Sequence, residues 1–496
     1  QRVQQIDELH DNAALPALCR VARFDPSPLV ARDAALFAVA LPDEESPSPS
    51  TTEPAATPRR QSPPSPTVRA AMQAEMGESD RAPVKWIRAS LAEGVDPEQA
   101  SALWRRVVDE EIALWRSEPS HSERAQVNRL VGRQLQWLAR LGRTEAITDA
   151  LVQWIEIDQT SESPKGRIRS LQAAFEWTFD HEQWEAFARL AGRYQSLCDH
   201  DRLLSYNLAE GYARQNRTDD AARAALHAFR LTLEDESERV DVGDKLAEMG
   251  QIEWAMREYR HVIDSNPLAS LPGMLARSQM AMWLHDRLDY QGAADVMGEL
   301  SAELANVDVL QRLVENLHEV NRSHESIHAY QARRYYYLAC LLESQEKFAE
   351  QYDALQKAVE YYEEDADVLI ALFHCKGADD AAKAQIRQRI RKVAAAWKVL
   401  IDEYPSIPQF YNQWAWLIAN TEGDFKLAVQ YSRNSLLLLP DEASYLDTLG
   451  RCYYAAGDLK NAVETQRRAV ELQPQMQVMR RQLAQFEAEL AEQEKQ

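Results

Sequence analysis

His324-Glu325-Ser326-Ile327-His328 has the residue types and spacing of a metal-dependent hydrolase motif. On a helix, histidines four apart lie one turn apart on one face. Both imidazoles could then ligate one zinc ion while Glu325 acts as general base on its water. Three features oppose that chemistry. Ser326 is polar where such helices carry an apolar residue, Arg322 sets a positive charge beside the proposed metal, and Glu343 and Glu346 are the only evident third ligands downstream. His324 and His328 are therefore read as solvated helix residues. No metal, cofactor or catalytic residue is assigned, and the chain is expected not to be an enzyme.

Cys198-Asp199-His200-Asp201 is a second dense polar group. It stands immediately before a helical segment, so its expected role is a loop and a helix N-cap. The five cysteines (Cys19, Cys198, Cys340, Cys375 and Cys452) are widely spaced and include no CxxC pair. That excludes a zinc ribbon or a disulfide scaffold and leaves them as small buried hydrophobes. His121, His181 and His374 have no ligand partners at useful spacing. No Walker loop, dinucleotide-binding glycine fingerprint or GxSxG occurs. Lys383, Arg387, Arg389, Arg391, Lys392 and Lys398 form a basic helix after the acidic run Glu360, Glu363, Glu364, Asp365, Asp367. The plain reading is a solvated face paired with acidic neighbours. A docking patch for an acidic partner is the sharper one.

The elements that must position these groups are helical. Only 16 of 496 residues are glycine, fewer than sheet-rich folds or phosphate-cradling loops usually need. Lys and Arg number 56 against 78 Asp and Glu, for a net charge of −22, so a nucleic-acid partner is not expected. No apolar run approaches the roughly 18 residues that span a bilayer. Residues 1–41 read as two short helices around Pro26 and Pro28, and they resemble one unit of a HEAT-type repeat. Residues 42–68 are rich in proline and serine and read as an extended linker. From residue 69 onward, apolar residues recur three to five apart in nearly uninterrupted amphipathic helix.

A 34-residue period runs through that region. Pro440 and Pro474 are 34 apart, with Leu446, Leu449-Gly450, Tyr453, Gly457-Asp458, Ala462 and Ala469 between them. In this set Gly450 and Ala462 are small where paired helices approach, and Gly457-Asp458 turns the chain. Residues 236–269 carry Val242-Gly243, Leu246, Gly250, Ala255 and Tyr259 in the same register. Residues 202–235 and 332–365 carry further copies, and 274–307 a weaker one. In 410–440 the segment Asn420 to Asp424 reads as a turn about two residues tighter than the pattern of the repeat family this array resembles. The pattern resembles a tetratricopeptide-repeat array of bacterial type.

The resemblance implies an all-α fold, an α-solenoid of antiparallel helix pairs with a concave groove that holds a peptide or partner helix. The expected organisation is 1–41 HEAT-like fragment, 42–68 linker, 69–201 divergent helical repeats and 202–365 repeat array. A connector at 366–408, a repeat pair at 409–476 and a terminal helix at 477–496 follow. Tyr335 is expected at a buried repeat position. Groove positions of the family fall on Tyr206, Glu210, Arg214, Arg333, Tyr336, Asp447, Arg451 and Tyr454. The lysine/asparagine clamp that some family members use for a C-terminal carboxylate is absent here. The expected function is a protein-binding scaffold or adaptor, with a structural subunit of a large assembly as the alternative. A zinc enzyme built on residues 324–328 is the last choice. The chain opens on Gln1 rather than Met, so both a cytoplasmic and an exported or periplasmic location stay open.

Overall fold

The computed structural model describes residues 14–39, 66–117, 124–157, 164–232, 237–266, 270–299 and 327–493. Among these residues there are twenty-five α-helices and no strand. The chain divides into two compact units, Gln1–Leu231 and Thr232–Gln496.

The first unit holds α1 (Ala14–Phe24), α2 (Pro28–Val39), α3 (Pro66–Met76), α4 (Ala82–Ala92), α5 (Pro97–Ser117) and α6 (Arg124–Arg140). It continues with α7 (Thr144–Glu156), α8 (Pro164–Asp180), α9 (Trp184–Arg193), α10 (Gln195–His200), α11 (Arg202–Arg214) and α12 (Thr218–Arg230). Leu15, Met72, Trp86, Trp104, Phe175 and Phe187 belong to one continuous apolar core. The hairpin α1–α2 docks on α3 and α4, and arginines seal the junction. Arg81 donates to the carbonyls of Arg23 at 2.7 Å and Asp25 at 2.9 Å, satisfying groups that the end of α1 would leave bare.

The second unit holds α13 (Ser237–Glu248), α14 (Ile252–Ser265), α15 (Leu271–Asp286), α16 (Tyr290–Gly298), α17 (Ile327–Ser344), α18 (Phe348–Tyr361) and α19 (Ala366–His374). Then follow α20 (Asp380–Glu403), α21 (Pro408–Ala419), α22 (Phe425–Leu438), α23 (Ala443–Ala455), α24 (Leu459–Leu472) and α25 (Gln477–Gln493). The register boundary at 202 is therefore not where the compact units part. They divide one helix pair later.

One backbone device turns the first helix of a pair into the second. The second residue after the first helix takes positive φ, at Gly142, Glu182, Asn216, Gly250, Leu288, Glu346 and Gly457. The next amide bonds back to a carbonyl five residues earlier, for example Arg217 N to Tyr212 O at 2.9 Å and Asp458 N to Tyr453 O at 2.9 Å. This satisfies orphan carbonyls at the helix end. Asp201, Asp379, Asp424 and Asp458 then cap following helices by accepting from backbone amides. Such a cap contributes about 1 kcal/mol.

Small residues set the closest approaches. A methyl group at Gly243 would lie 2.5 Å from the Tyr259 ring, and one at Gly450 would lie 2.5 Å from Gln466 Oε1. Both neighbours stand sixteen residues on, so the two pairs share one register. The turn at 420–424 departs from expectation: five residues separate α21 from α22, against three between α23 and α24, so it is longer rather than tighter. Among the three consecutive tyrosines, Tyr337 is the buried one. Tyr335 stays half-buried and stacks on Tyr361 of α18 at 5.7 Å.

Candidate functional site

A cleft of about 410 Å³ opens in the second unit. Tyr336, Cys340, Glu343 and Ser344 enter it from α17, spaced so that one helix face carries them all. Asp367, Ile370, Ala371 and His374, at i, i+3, i+4 and i+7, likewise share one face of α19. Trp416 of α21 closes one side, and His285 and Tyr290, at the α15–α16 turn, close the other.

A half-buried polar brace fixes these walls. Arg333 Nη1 donates to Asp367 Oδ2 at 2.7 Å, and its Nε meets Asp365 Oδ2 at 3.0 Å. Asp365 also caps α19, accepting from the Asp367 and Val368 amides at 3.0 and 3.3 Å. Trp416 Nε1 donates to Asp367 Oδ1 at 2.9 Å. Burial alone would raise the Asp367 carboxyl. Arg333 and the Trp416 and Arg333 hydrogen bonds outweigh it and hold the group below the usual carboxylate range. Burial pushes His285 down, favouring its neutral form, and pushes the Cys340 thiol up to about 12. Arg333 also lies 5.5 Å from the Tyr336 ring centroid. The cleft thus presents aromatic faces, a protonated thiol and two carboxylates, one of them already paired, an arrangement suited to holding a side chain.

The expected groove residues fall into three groups. Arg333 and Tyr336 meet at this cleft. Asp447, Arg451 and Tyr454 come together on α23, but α25 packs over them: Tyr454 stacks on Phe486 at 4.6 Å and donates to Glu489 at 2.7 Å. Tyr206 and Glu210 are buried in the first unit, where α11 packs against α8, α9, α10 and α12, so neither offers an open surface. Arg214 is exposed and pairs with Glu210 at 2.6 Å. Most of the cleft lining was not selected from the sequence. Asp367, Ile370 and His374 lie in the stretch set aside as a connector, although their spacing on α19 was a usable signal.

The other polar clusters have ordinary roles. Asp201 caps α11, accepting from the Leu204 amide at 2.8 Å, and burial lifts the Cys198 thiol to about 12. On the basic helix α20, Arg387 pairs with Glu422 at 3.1 Å and Lys392 with Glu363 at 2.8 Å. Four cysteines are buried and Cys340 is half-buried, all as free thiols. Residues 324–326 lie outside the described residues, and His328 is exposed on α17. Among the described residues no three His, Cys, Asp or Glu side chains cluster to hold a metal, and no helix is long and apolar enough to cross a membrane.

Residues 443–476, spanning α23, α24 and the turn after them, match the Tetratricopeptide repeat family. No curated protein is similar to the chain in sequence. Among solved structures, the chain is similar to the TPR domain of P58(IPK), at 13% identity over 70% of this chain and 99% of that one, with a TM-score of 0.20. It is similar to yeast Tom70 at 13% identity over 86% and 85% of the two chains, with a TM-score of 0.29. It is also similar to a chain in the structure of Naa15/Naa10 bound to HypK-THB, at 14% identity over 84% and 61%, with a TM-score of 0.23. Residues 443–476 are thus a tetratricopeptide repeat, set in an all-α chain of stacked helix pairs.

Proposed function

We propose that this protein is a non-enzymatic interaction scaffold that holds an extended segment of a protein partner between α17, α19 and α21. The observation that carries this reading is the cleft of about 410 Å³ with Tyr336 and Trp416 in its walls. Its size is that of a site for a few side chains, and tyrosine, tryptophan and arginine dominate binding hot spots. Replacing Tyr336 with alanine should weaken capture of a native partner at least ~10-fold, about 1.4 kcal/mol, while circular dichroism stays native. Full capture by this variant would refute the reading.

A structural-subunit role is the second reading, and one observation favours it. Exposed apolar side chains gather at the C-terminal ends of three successive second helices. They are Tyr361 at the end of α18 with Tyr362 just after it, Val399 on α20 with Tyr404 just after it, and Leu437 and Leu438 at the end of α22 with Leu439 just after it. A rim of this kind suits permanent packing against another chain. Replacing the three leucines with serine should then abolish assembly, while Tyr336→Ala assembles normally.

A further inference from the structure

We infer that the side chain this cleft selects is a cation, an arginine in preference to a lysine, presented by the partner segment; this rests on the scaffold reading above. The lining contributes two carboxylates, Glu343 and Asp367, and neither lysine nor arginine. The adjacent cation, Arg333, is already held by Asp365 and Asp367, so it brings no free positive charge to the cleft. Glu343 adds an unpaired carboxylate. It is exposed at the mouth of the cleft and makes no ion pair among the described residues. Burial disfavours the charged form of His285, and His374 Nε2 is engaged by the Asn420 carbonyl, to which it donates at 2.8 Å. Arg481, another nearby cation, donates to the Asp286 carbonyl at 2.9 Å and does not line the cleft.

Aromatic faces complete the complement. Tyr290, Tyr336 and Trp416 surround the negative pocket, and ring quadrupoles attract a cation that has shed water. A guanidinium stacks on such faces while still donating to a carboxylate, which a compact ammonium does less well. Ile370 and Ala371 leave apolar room for the methylene stem. An acidic or C-terminal carboxylate ligand would instead face two carboxylates with no free donor cation.

The test is an array of nonapeptides with each of the twenty amino acids fixed in turn at the central position and random flanks. It is probed with the full chain and with its Glu343→Lys variant, whose change lies on an exposed side chain. The expected result is at least ~10-fold enrichment of arginine over glutamate, about 1.4 kcal/mol, with lysine between them, and loss of that enrichment in Glu343→Lys while other peptides are still retained. Peptides retained without a basic preference, or with one unchanged by Glu343→Lys, would overturn this inference and leave the scaffold reading standing. No peptide retained by the wild-type chain would overturn both.

Discussion

Replacing Gly450 with alanine should destabilise the end of the second unit, although alanine is the better helix former. The added methyl group would lie 2.5 Å from Gln466 Oε1, well inside ordinary contact. Gln466 cannot swing away, because its amide is fixed on several sides. Its Nε2 donates to Asp447 Oδ1 at 2.5 Å and to the Met479 carbonyl at 3.2 Å, and its Oε1 accepts from Gln482 Nε2 at 3.0 Å. Displacing it loses at least one of these bonds, worth about 1 kcal/mol, and adds overpacking of roughly 1–3 kcal/mol. Helix propensity returns at most about 1 kcal/mol. The net cost is about 1–3 kcal/mol, and Gly450→Leu should cost more. Gly132 on α6 supplies the control, since nothing lies within 4 Å of a methyl group there. Gly132→Ala should stabilise its helix by up to about 1 kcal/mol. With two compact units a single unfolding free energy is not defined, so the readout is amide hydrogen exchange, resolved by helix. Exchange should speed up across α23–α25 in Gly450→Ala and slow down across α6 in Gly132→Ala. Unchanged or slower exchange in α23–α25 would refute the packing argument.

Burial lifts the Asp447 carboxyl from 3.8 to about 6, against the Gln466 hydrogen bond and Arg451. A folded-state value above the unfolded one means that the folded chain holds its proton longer. Stability therefore falls as pH rises from about 4 to 6, by roughly 3 kcal/mol for that interval. Asp447→Asn should remove that slope in exchange measurements on α23–α25, giving an advantage over wild type at pH 7.5 that fades near pH 4; a pH-independent difference would contradict it. Leu288 holds φ +64° in an exposed turn, so Leu288→Gly should slow exchange in α15 and α16 by about 0.5–1 kcal/mol of opening energy; faster exchange would show that the side chain matters more than the backbone. His324→Ala with His328→Ala should leave the melting profile unchanged, and elemental analysis that found stoichiometric zinc in the wild type alone would promote the metalloenzyme.

The repeat at 443–476 was legible because Gly450, Gly457, Ala462 and Pro474 each supply a steric requirement that few other residues meet. Elsewhere the same turn is built without that cue. Glu182, Asn216, Leu288 and Glu346 take positive φ where Gly142, Gly250 and Gly457 do so freely. A search for glycine therefore loses the period although the backbone keeps it. Burial was less legible than helix register. Tyr206 stands at a groove position of its copy, yet helices from the preceding, weakly periodic segment cover it. Tyr454 stands at another, and α25 claims it for stacking on Phe486. The cleft escaped notice for a related reason. The nine-residue α19 and the 24-residue α20 do not fit a 34-residue pair of equal helices, so a wall of the cleft lay in the segment set aside as irregular.

The most direct test of the scaffold account places a photo-crosslinking amino acid at either of two positions in the full chain. One is Ile370, inside the cleft, and the other is Leu438, on the exposed rim. After irradiation in native lysate, the account predicts one discrete adduct from position 370, with the crosslinked peptide of the partner carrying a basic residue, and none of the same protein from position 438. Adducts from position 438 alone, with position 370 silent, would contradict the account and identify the rim as the working surface.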